Sequence, residues 1–140
     1  MTTEEKTNNY LTVMEFLLRA KHQLMAVGAE FGLTGVQTMA LVLVKPDMPS
    51  PMNNLCSFFI CDASNMTGII DGLEQKGLVS RQSSDKDRRI KVVKIEPAGN
   101  EVRSQIMSRL TGNECVFNQL TELETGQLVK LIRKMSTAFA

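Results

Sequence analysis

Apolar residues recur at helical spacing along most of the chain. They predict a long first helix from about Asn8 to Glu30, whose apolar stripe is wider than one small lobe could cover. A capping box at Thr34–Gln37 predicts a second helix, which Pro46 ends. The residues expected on its buried face are Val36, Met39, Ala40 and Leu43.

Two shorter helices are predicted next. Ser50 and Pro51 have the residue types that open a helix, and this third helix is expected to end near Ile60, with Leu55 and Phe58 or Phe59 inward. Asp62 is the expected cap of a fourth helix, which Gly77 ends. Its predicted core stripe is Met66, Ile69, Ile70 and Leu73, and its predicted outer face is Ser64, Asn65, Gly68, Asp71 and Gly72, with Thr67 at the edge.

The pattern then changes from helix to strand. Residues 78–82 and the β-branched run 90–95 flank a polar, turn-like stretch at 83–87, so they predict a β-hairpin with a charged tip. Pro97 is expected to start a fifth helix that continues to about Asn118, with Gly112 at a bend. A capping box at Thr121–Glu124 starts the last helix. The predicted fold class is therefore mainly α with one small β-hairpin.

Positive charge is concentrated in the hairpin. Residues 1–75 carry four bases and eight acids, a balance of −4, whereas residues 76–94 carry seven bases and two acids, a balance of +5. A local basic cluster on a chain with net charge +1 suits contact with DNA, although a solvated basic hairpin would have the same composition.

Other function classes find little support in the sequence. No apolar run reaches the roughly 20 residues that span a bilayer, and the polar N-terminus lacks a signal-peptide core, so we expect a cytoplasmic protein without a membrane partner. Three cysteines without a C-x-x-C pair and a single histidine predict neither disulfides nor a zinc site. We expect no cofactor, and no nucleophile-base pair or phosphate loop indicates an enzyme.

A helix with a polar outer face beside a basic hairpin is an arrangement that can grip a DNA duplex. The helix would lie in the major groove, where base edges are distinguishable by their hydrogen bonds. The hairpin tip would reach the adjacent minor groove, whose negative potential attracts arginine. Arg88 and Arg89 are the candidates for that contact.

The same stretch resembles the MarR family of regulators. The resemblance is carried by Leu33–Gln37, by Asp62–Val79, by Asp85-Lys86-Asp87-Arg88-Arg89 and by Ile95–Gly99, in matching order and spacing. The long flanking helices are similar to the family's dimerisation arms, so the resemblance extends over nearly the whole chain.

The resemblance implies a winged helix-turn-helix homodimer. Residues 33–96 would form the DNA-binding lobe, and residues 1–32 and 97–140 would supply dimerisation helices. Such a dimer would bind a palindromic operator in double-stranded DNA. It would usually repress genes until a small-molecule effector or an oxidant weakens binding; the effector site stays unknown at this stage.

Site residues follow from the same resemblance. Arg89 matches the wing arginine that enters the minor groove, and Asp87 matches the acid that braces the wing through an ion pair. Ser64, Asn65 and Thr67 match positions of the recognition helix that contact bases or phosphates. Together with the basic cluster, the residues expected to bind DNA are Ser64, Asn65, Thr67, Gly68, Arg81, Lys86, Arg88 and Arg89.

Three positions depart from the family pattern. Residues 62–75 contain no lysine or arginine, although relatives often carry arginine near Gly68. Ile60 stands where a turn glycine is common, and Glu96 replaces the usual Ser or Thr cap of the fifth helix. The missing cation and the acidic residues Asp62, Asp71 and Glu74 leave a second hypothesis open, in which the chain is a dimeric ligand- or protein-binding module with weak or lost DNA recognition.

Some residues keep two interpretations. Cys61, before a helix N-terminus, is either a redox switch or ordinary packing, and His22 either lines a ligand pocket or is a partly exposed surface histidine. Gly68 and Gly72 either allow the backbone to approach DNA closely or are tolerated weak points of the helix.

Overall fold

The computed structural model describes residues 1–59 and 63–140, and for residues 63 and 64 the backbone alone. The predictions about the Ile60 turn, the Cys61 thiol, the Asp62 cap and the Ser64 side chain lie outside the described residues. Within them the protein is mainly helical, with one small sheet. The elements are α1 Thr3–Glu30, α2 Gly35–Leu43, β1 Ser50–Pro51, α3 Met52–Phe59, α4 Ala63–Gln75, β2 Val79–Ser83, β3 Lys91–Ile95, α5 Pro97–Leu110 and α6 Glu122–Ser136.

The chain divides into two compact units, residues 1–107 and residues 108–140. In the first unit α1 packs on α2, α2 and α3 pack on α4, and the sheet packs against α3 and α4. The second unit contains α6 and two short 3₁₀ turns, at Val116–Gln119 and Thr137–Phe139. The predicted division into a DNA-binding lobe at residues 33–96 and dimerisation helices at 1–32 and 97–140 stays a prediction.

Helix α1 starts five residues earlier than predicted, at Thr3 instead of Asn8. Thr2 and Glu5 form a capping box, in which the Glu5 backbone N–H donates to the Thr2 hydroxyl and the Thr2 N–H donates to the Glu5 carboxylate. A capping box satisfies N–H groups of the first turn, so the polar N-terminal residues are helical although they carry no apolar stripe.

Helix α2 has the predicted capping box, with Thr34 and Gln37 bonded reciprocally. Of the residues predicted on its buried face, Ala40 is fully buried and Met39 is half-buried. Thr38, Ala40 and Leu41 are fully buried, whereas Val36 and Leu43 are exposed. Thr38 tolerates burial because its hydroxyl donates to the Thr34 carbonyl oxygen at 2.9 Å.

The prediction that Ser50 and Pro51 open a helix is wrong. They form the short strand β1, which pairs antiparallel with β3 through Ser50↔Val93 and Pro51↔Val92. The sheet order is β1-β3-β2, so proline occupies an edge strand, where its missing N–H is tolerated. Helix α3 begins at Met52 and buries Leu55, while Phe58 is 70% exposed and Phe59 only half-buried.

The predicted hairpin is confirmed. Strands β2 and β3 are antiparallel in the register Val79↔Ile95, Arg81↔Val93 and Ser83↔Lys91. The Ser84 N–H donates to the Ile90 carbonyl at 2.8 Å, which closes the ladder below the tip. Val79, Val92, Val93 and Ile95 are buried. The hairpin is thus fixed to the core of the first unit at its base, and its tip extends away from that core.

Helix α5 starts at Pro97 as predicted but ends at Leu110, well before Asn118. Residues 111–114, which include Gly112, form a turn. The Asn118 side-chain amide donates to the carbonyls of Gly112 and Asn113 at 3.0 Å each. Those bonds satisfy carbonyls that a continuous helix would have used. Glu96 accepts a hydrogen bond from the Ser80 hydroxyl instead of capping α5.

Candidate nucleic-acid interface

The outer face of α4 supplies the first part of the interface. Met66, Ile70 and Leu73 are fully buried, which turns the opposite side of the helix to solvent. Asn65 and Gly68 are exposed there, and Thr67 is half-buried at the edge. Among the described residues, no atom outside the helix lies within 4 Å of the position that a Gly68 side chain would occupy.

Gly72 does not belong to this outer face. It is half-buried, and a side chain at this position would overlap the Gln37 amide of α2. That amide group belongs to the α2 capping box, so Gly72 serves close packing between α2 and α4. The two glycines therefore differ, and only Gly68 stands where a backbone approach to DNA is open.

The hairpin tip is ordered by one ion pair. The Asp87 carboxylate accepts from the Arg89 side chain twice, from Nε at 3.2 Å and from Nη2 at 3.1 Å. It also accepts from the Arg89 backbone N–H at 3.0 Å. The side-chain hydrogen bond from Arg89, followed by the backbone bond, lowers the pKa of Asp87 below its usual 3.8.

Arg89 remains accessible despite this pairing. Its side chain is 91% exposed, and the pair with Asp87 leaves further guanidinium N–H groups for an external acceptor. Lys86 and Arg88 are exposed at the same tip. The tip therefore presents three cations to solvent, one of them held in a defined orientation by a neighbouring acid.

Arg81 lies differently from the other predicted cations. Its Nη2 is 2.5 Å from an Asp71 carboxylate oxygen and its Nε is 3.1 Å from a Glu74 oxygen. The Arg81 side chain is 32% exposed. Arg81 therefore connects strand β2 to helix α4, and it offsets one of the two negative charges that Asp71 and Glu74 place beside the hairpin.

A cleft between α4 and the hairpin was not foreseen from the sequence. It measures about 380 Å³ and is lined by Met52, Thr67, Arg81, Gln82 and Lys91. Lys91 was counted in the basic cluster but was not selected as a site residue. Strand alternation could have singled it out, because residues paired across two antiparallel strands share a face.

Other kinds of site find no counterpart in the residues that the structure describes. They contain no group of three or more His, Cys, Asp or Glu side chains that could hold a metal ion. Cys56 and Cys115 are free thiols, and His22 is exposed on α1. Over the same residues no single helix is long and apolar enough to cross a membrane. Helices α1 and α2, with a 97° bend between them, together have the length and composition of a membrane span.

Comparison with known proteins finds a similarity to one family over part of the chain. Residues 33–91, which span α2 to the start of β3, match the sequence model of the MarR family. The match covers less than half of the chain. No curated protein sequence matches the chain closely enough to count as a relative.

Several solved structures, one of them a MarR-family regulator, have the same fold. The regulator BldR from Sulfolobus solfataricus is 24% identical, with a TM-score of 0.73 over 99% of both chains. A MarR-family regulator from Silicibacter pomeroyi is 23% identical, with a TM-score of 0.79 over 97% of this chain and 92% of that one. CouR from Rhodococcus jostii RHA1, crystallised with p-coumaroyl-CoA, is 19% identical, with a TM-score of 0.75 over 89% of each chain.

The MarR-family match gives the lobe a function class. Members of the MarR family are transcriptional regulators and not enzymes, so the match supports a DNA-binding regulator. The helices and the three-stranded sheet with its charged hairpin match the winged-helix fold.

Proposed function

We propose that the protein is a homodimeric repressor that binds a palindromic operator in double-stranded DNA and releases it in response to a small-molecule effector. The observation that carries the proposal is the pairing, on one lobe, of an exposed polar α4 face with a hairpin tip whose Arg89 is held by Asp87. Stable binding of such a protein to its operator is sufficient for repression.

In this proposal Asn65, Thr67 and Gly68 of α4, together with Ser64, meet the major groove. Short polar side chains and an uncovered glycine allow the helix to approach base edges closely. Arg89 enters the minor groove, and Lys86 and Arg88 contact phosphates beside it. Because α4 has no cation of its own, most of the electrostatic attraction comes from the hairpin.

The dimer would be built from residues 1–32 and 97–140. Helix α1 exposes a row of large apolar side chains, among them Leu11, Leu17 and Leu18, and α6 exposes Leu131, Ile132 and Met135. Apolar surface of this extent on a single chain marks a contact with another protein. Two lobes related by a twofold axis would then read two operator half-sites.

The effector is proposed by analogy alone. CouR holds p-coumaroyl-CoA in its crystal structure, so one protein of this fold takes a small acyl thioester. We place no effector site on the present chain. Any effector that releases the DNA must bind the free protein and the DNA-bound protein with different affinities. Bound DNA must then change the affinity for the effector by the same factor.

The experiment that tests the proposal is selection of genomic fragments with the purified protein and with Arg89→Ala. We expect the wild type to enrich fragments that contain one palindrome, with affinity that falls steeply as salt rises. Arg89→Ala should recover the same palindrome weakly. If the two proteins recover the same fragments with equal strength, the wing assignment is wrong. If the wild type enriches nothing, the module without DNA recognition is the better description.

A further inference from the structure

We propose that the cleft between α4 and the hairpin binds one backbone phosphate of the DNA, with Lys91 as the cation that contacts it. The inference rests on the proposed function and adds a contact that neither the family match nor the sequence assigns. It places a phosphate site between the α4 face in the major groove and the tip in the minor groove.

Lys91 lies on the face of the hairpin that turns toward α4. Lys91 pairs across the hairpin with Ser83, two positions along from the Arg81↔Val93 pair, so Lys91 and Arg81 lie on the same face of the sheet. That face turns toward α4, since Arg81 reaches Asp71 and Glu74 there. Lys91 is exposed, whereas Val93 behind it is fully buried.

The two cations of the cleft differ in how their charge is paired. Both cations line the cleft, but Arg81 is occupied by two carboxylates. In the part of the chain that the structure covers, Lys91 pairs with no carboxylate, and its ammonium donates to the Ser83 hydroxyl at 3.3 Å. A neutral hydroxyl leaves the lysine charge uncompensated, so Lys91 is the cation of the cleft that an external anion would pair with.

The other three residues that line the cleft carry no charge. Thr67 of α4 and Gln82 of β2 are neutral hydrogen-bonding side chains, and Met52 is the first residue of α3. The N-terminal end of a helix carries a partial positive charge, which favours an anion nearby. A cation and a helix start line the same cleft, and both are groups that attract a phosphate.

The test combines a protein change with a DNA change. Lys91→Gln is compared with Lys94→Gln, a matched charge removal on the same strand; Lys94 pairs with Ser80 and does not line the cleft. Each phosphate of one operator half-site is replaced in turn by neutral methylphosphonate, and affinity is measured by fluorescence anisotropy at several salt concentrations. Both lysines are exposed, so neither change disturbs the core.

The proposal predicts one phosphate per half-site at which the wild type and Lys94→Gln lose affinity by roughly three- to tenfold and Lys91→Gln loses nothing further. On unmodified DNA, Lys91→Gln should bind operator and unrelated duplex alike more weakly, with a salt slope that is lower by about one. If Lys91→Gln stays as sensitive as the wild type at every phosphate, or Lys94→Gln weakens binding equally, the cleft assignment is overturned. If the wild type prefers no palindrome, the proposed function fails together with it.

Discussion

Arg81 illustrates, at the scale of single residues, how a cation in a basic cluster can be committed to the protein itself. The sequence counted it among the DNA-binding residues, but its guanidinium bridges Asp71 and Glu74 on α4. We therefore propose that Arg81 acts on DNA binding indirectly. It fixes the hairpin against α4 and weakens the repulsion between two carboxylates and the phosphates.

This role predicts a rescue. Arg81→Gln should weaken operator binding by roughly tenfold at moderate salt, because it uncovers two acids near the duplex. The triple variant Arg81→Gln, Asp71→Asn, Glu74→Gln removes those acids as well and should recover most of the lost affinity. Titrations of the three proteins against operator DNA decide the matter: a triple variant as weak as the single one would mean that Arg81 contacts DNA directly.

Asp87 gives a prediction for pH. Its pKa lies below 3.8 in the folded protein because Arg89 donates hydrogen bonds to the charged form, so the pair contributes stability above the unfolded pKa and loses it as pH falls through the folded value. The tip should thus stay braced at every pH above about 4. In Arg89→Ala the Asp87 pKa should rise toward its ordinary value, as carboxyl NMR titration can measure; an identical pKa in both proteins would contradict the pairing.

At the scale of elements, the hairpin is attached to the lobe through a close contact with α5. Gly99 in the first turn of α5 is buried, and a side chain there would overlap the Leu78 carbonyl oxygen and press on Ile95. The Glu96 N–H donates to that same carbonyl at 2.9 Å. A backbone oxygen cannot turn aside as a flexible side chain can, so glycine is required at position 99.

Gly99→Ala should therefore destabilise the protein by about 2 kcal/mol, since overpacking of this kind outweighs the gain of up to about 1 kcal/mol in helix propensity. Gly126→Ala is the matched control, because Gly126 lies in α6 with open space where the new methyl group would go. Urea unfolding should show a loss for the first and no loss for the second. Equal stability of the two variants would show that Gly99 does not hold the hairpin base.

At the scale of elements, what could be predicted from the sequence depends on how far apart the interacting residues lie along the chain. Features that depend on nearby residues were predicted correctly: the Thr34–Gln37 capping box, the β-hairpin, and Met66, Ile70 and Leu73 in the core stripe of α4, in which Ile69 is only half-buried. Ser50 and Pro51 were misassigned because their pairing with β3 depends on residues more than forty positions away. No local pattern reports that partner, and serine before proline is also a typical helix start.

The candidate site was predictable in part for the same reason. The tip pair of Asp87 and Arg89 is two residues apart and could be foreseen, whereas the Arg81 bridge to α4 and the cleft around Lys91 depend on how two elements pack. The early start of α1 is different, because the Thr2–Glu5 capping box was present in the sequence and was overlooked in favour of the apolar stripe.

At the scale of the whole molecule, the account depends on dimerisation through apolar surface that one chain leaves uncovered. Leu17→Glu in α1 should convert the dimer to a monomer, because it would bury a charge in the interface. Met48→Glu is the control, since Met48 is 53% exposed, close to the 52% of Leu17, but lies in the loop after α2. Sedimentation equilibrium at micromolar concentration measures the mass. A wild-type monomer, or a dimer in both variants, would contradict the proposed interface.

The central claim is that two α4 faces and two hairpin tips meet one duplex together, and hydroxyl-radical footprinting on the selected operator tests it most directly. The account predicts a twofold-symmetric footprint, with half-sites separated by about one helical turn or a multiple of it. It also predicts flanking minor-groove protections that disappear in Arg89→Ala while the central protections persist. A single asymmetric patch, or a footprint that Arg89→Ala leaves unchanged, would contradict it.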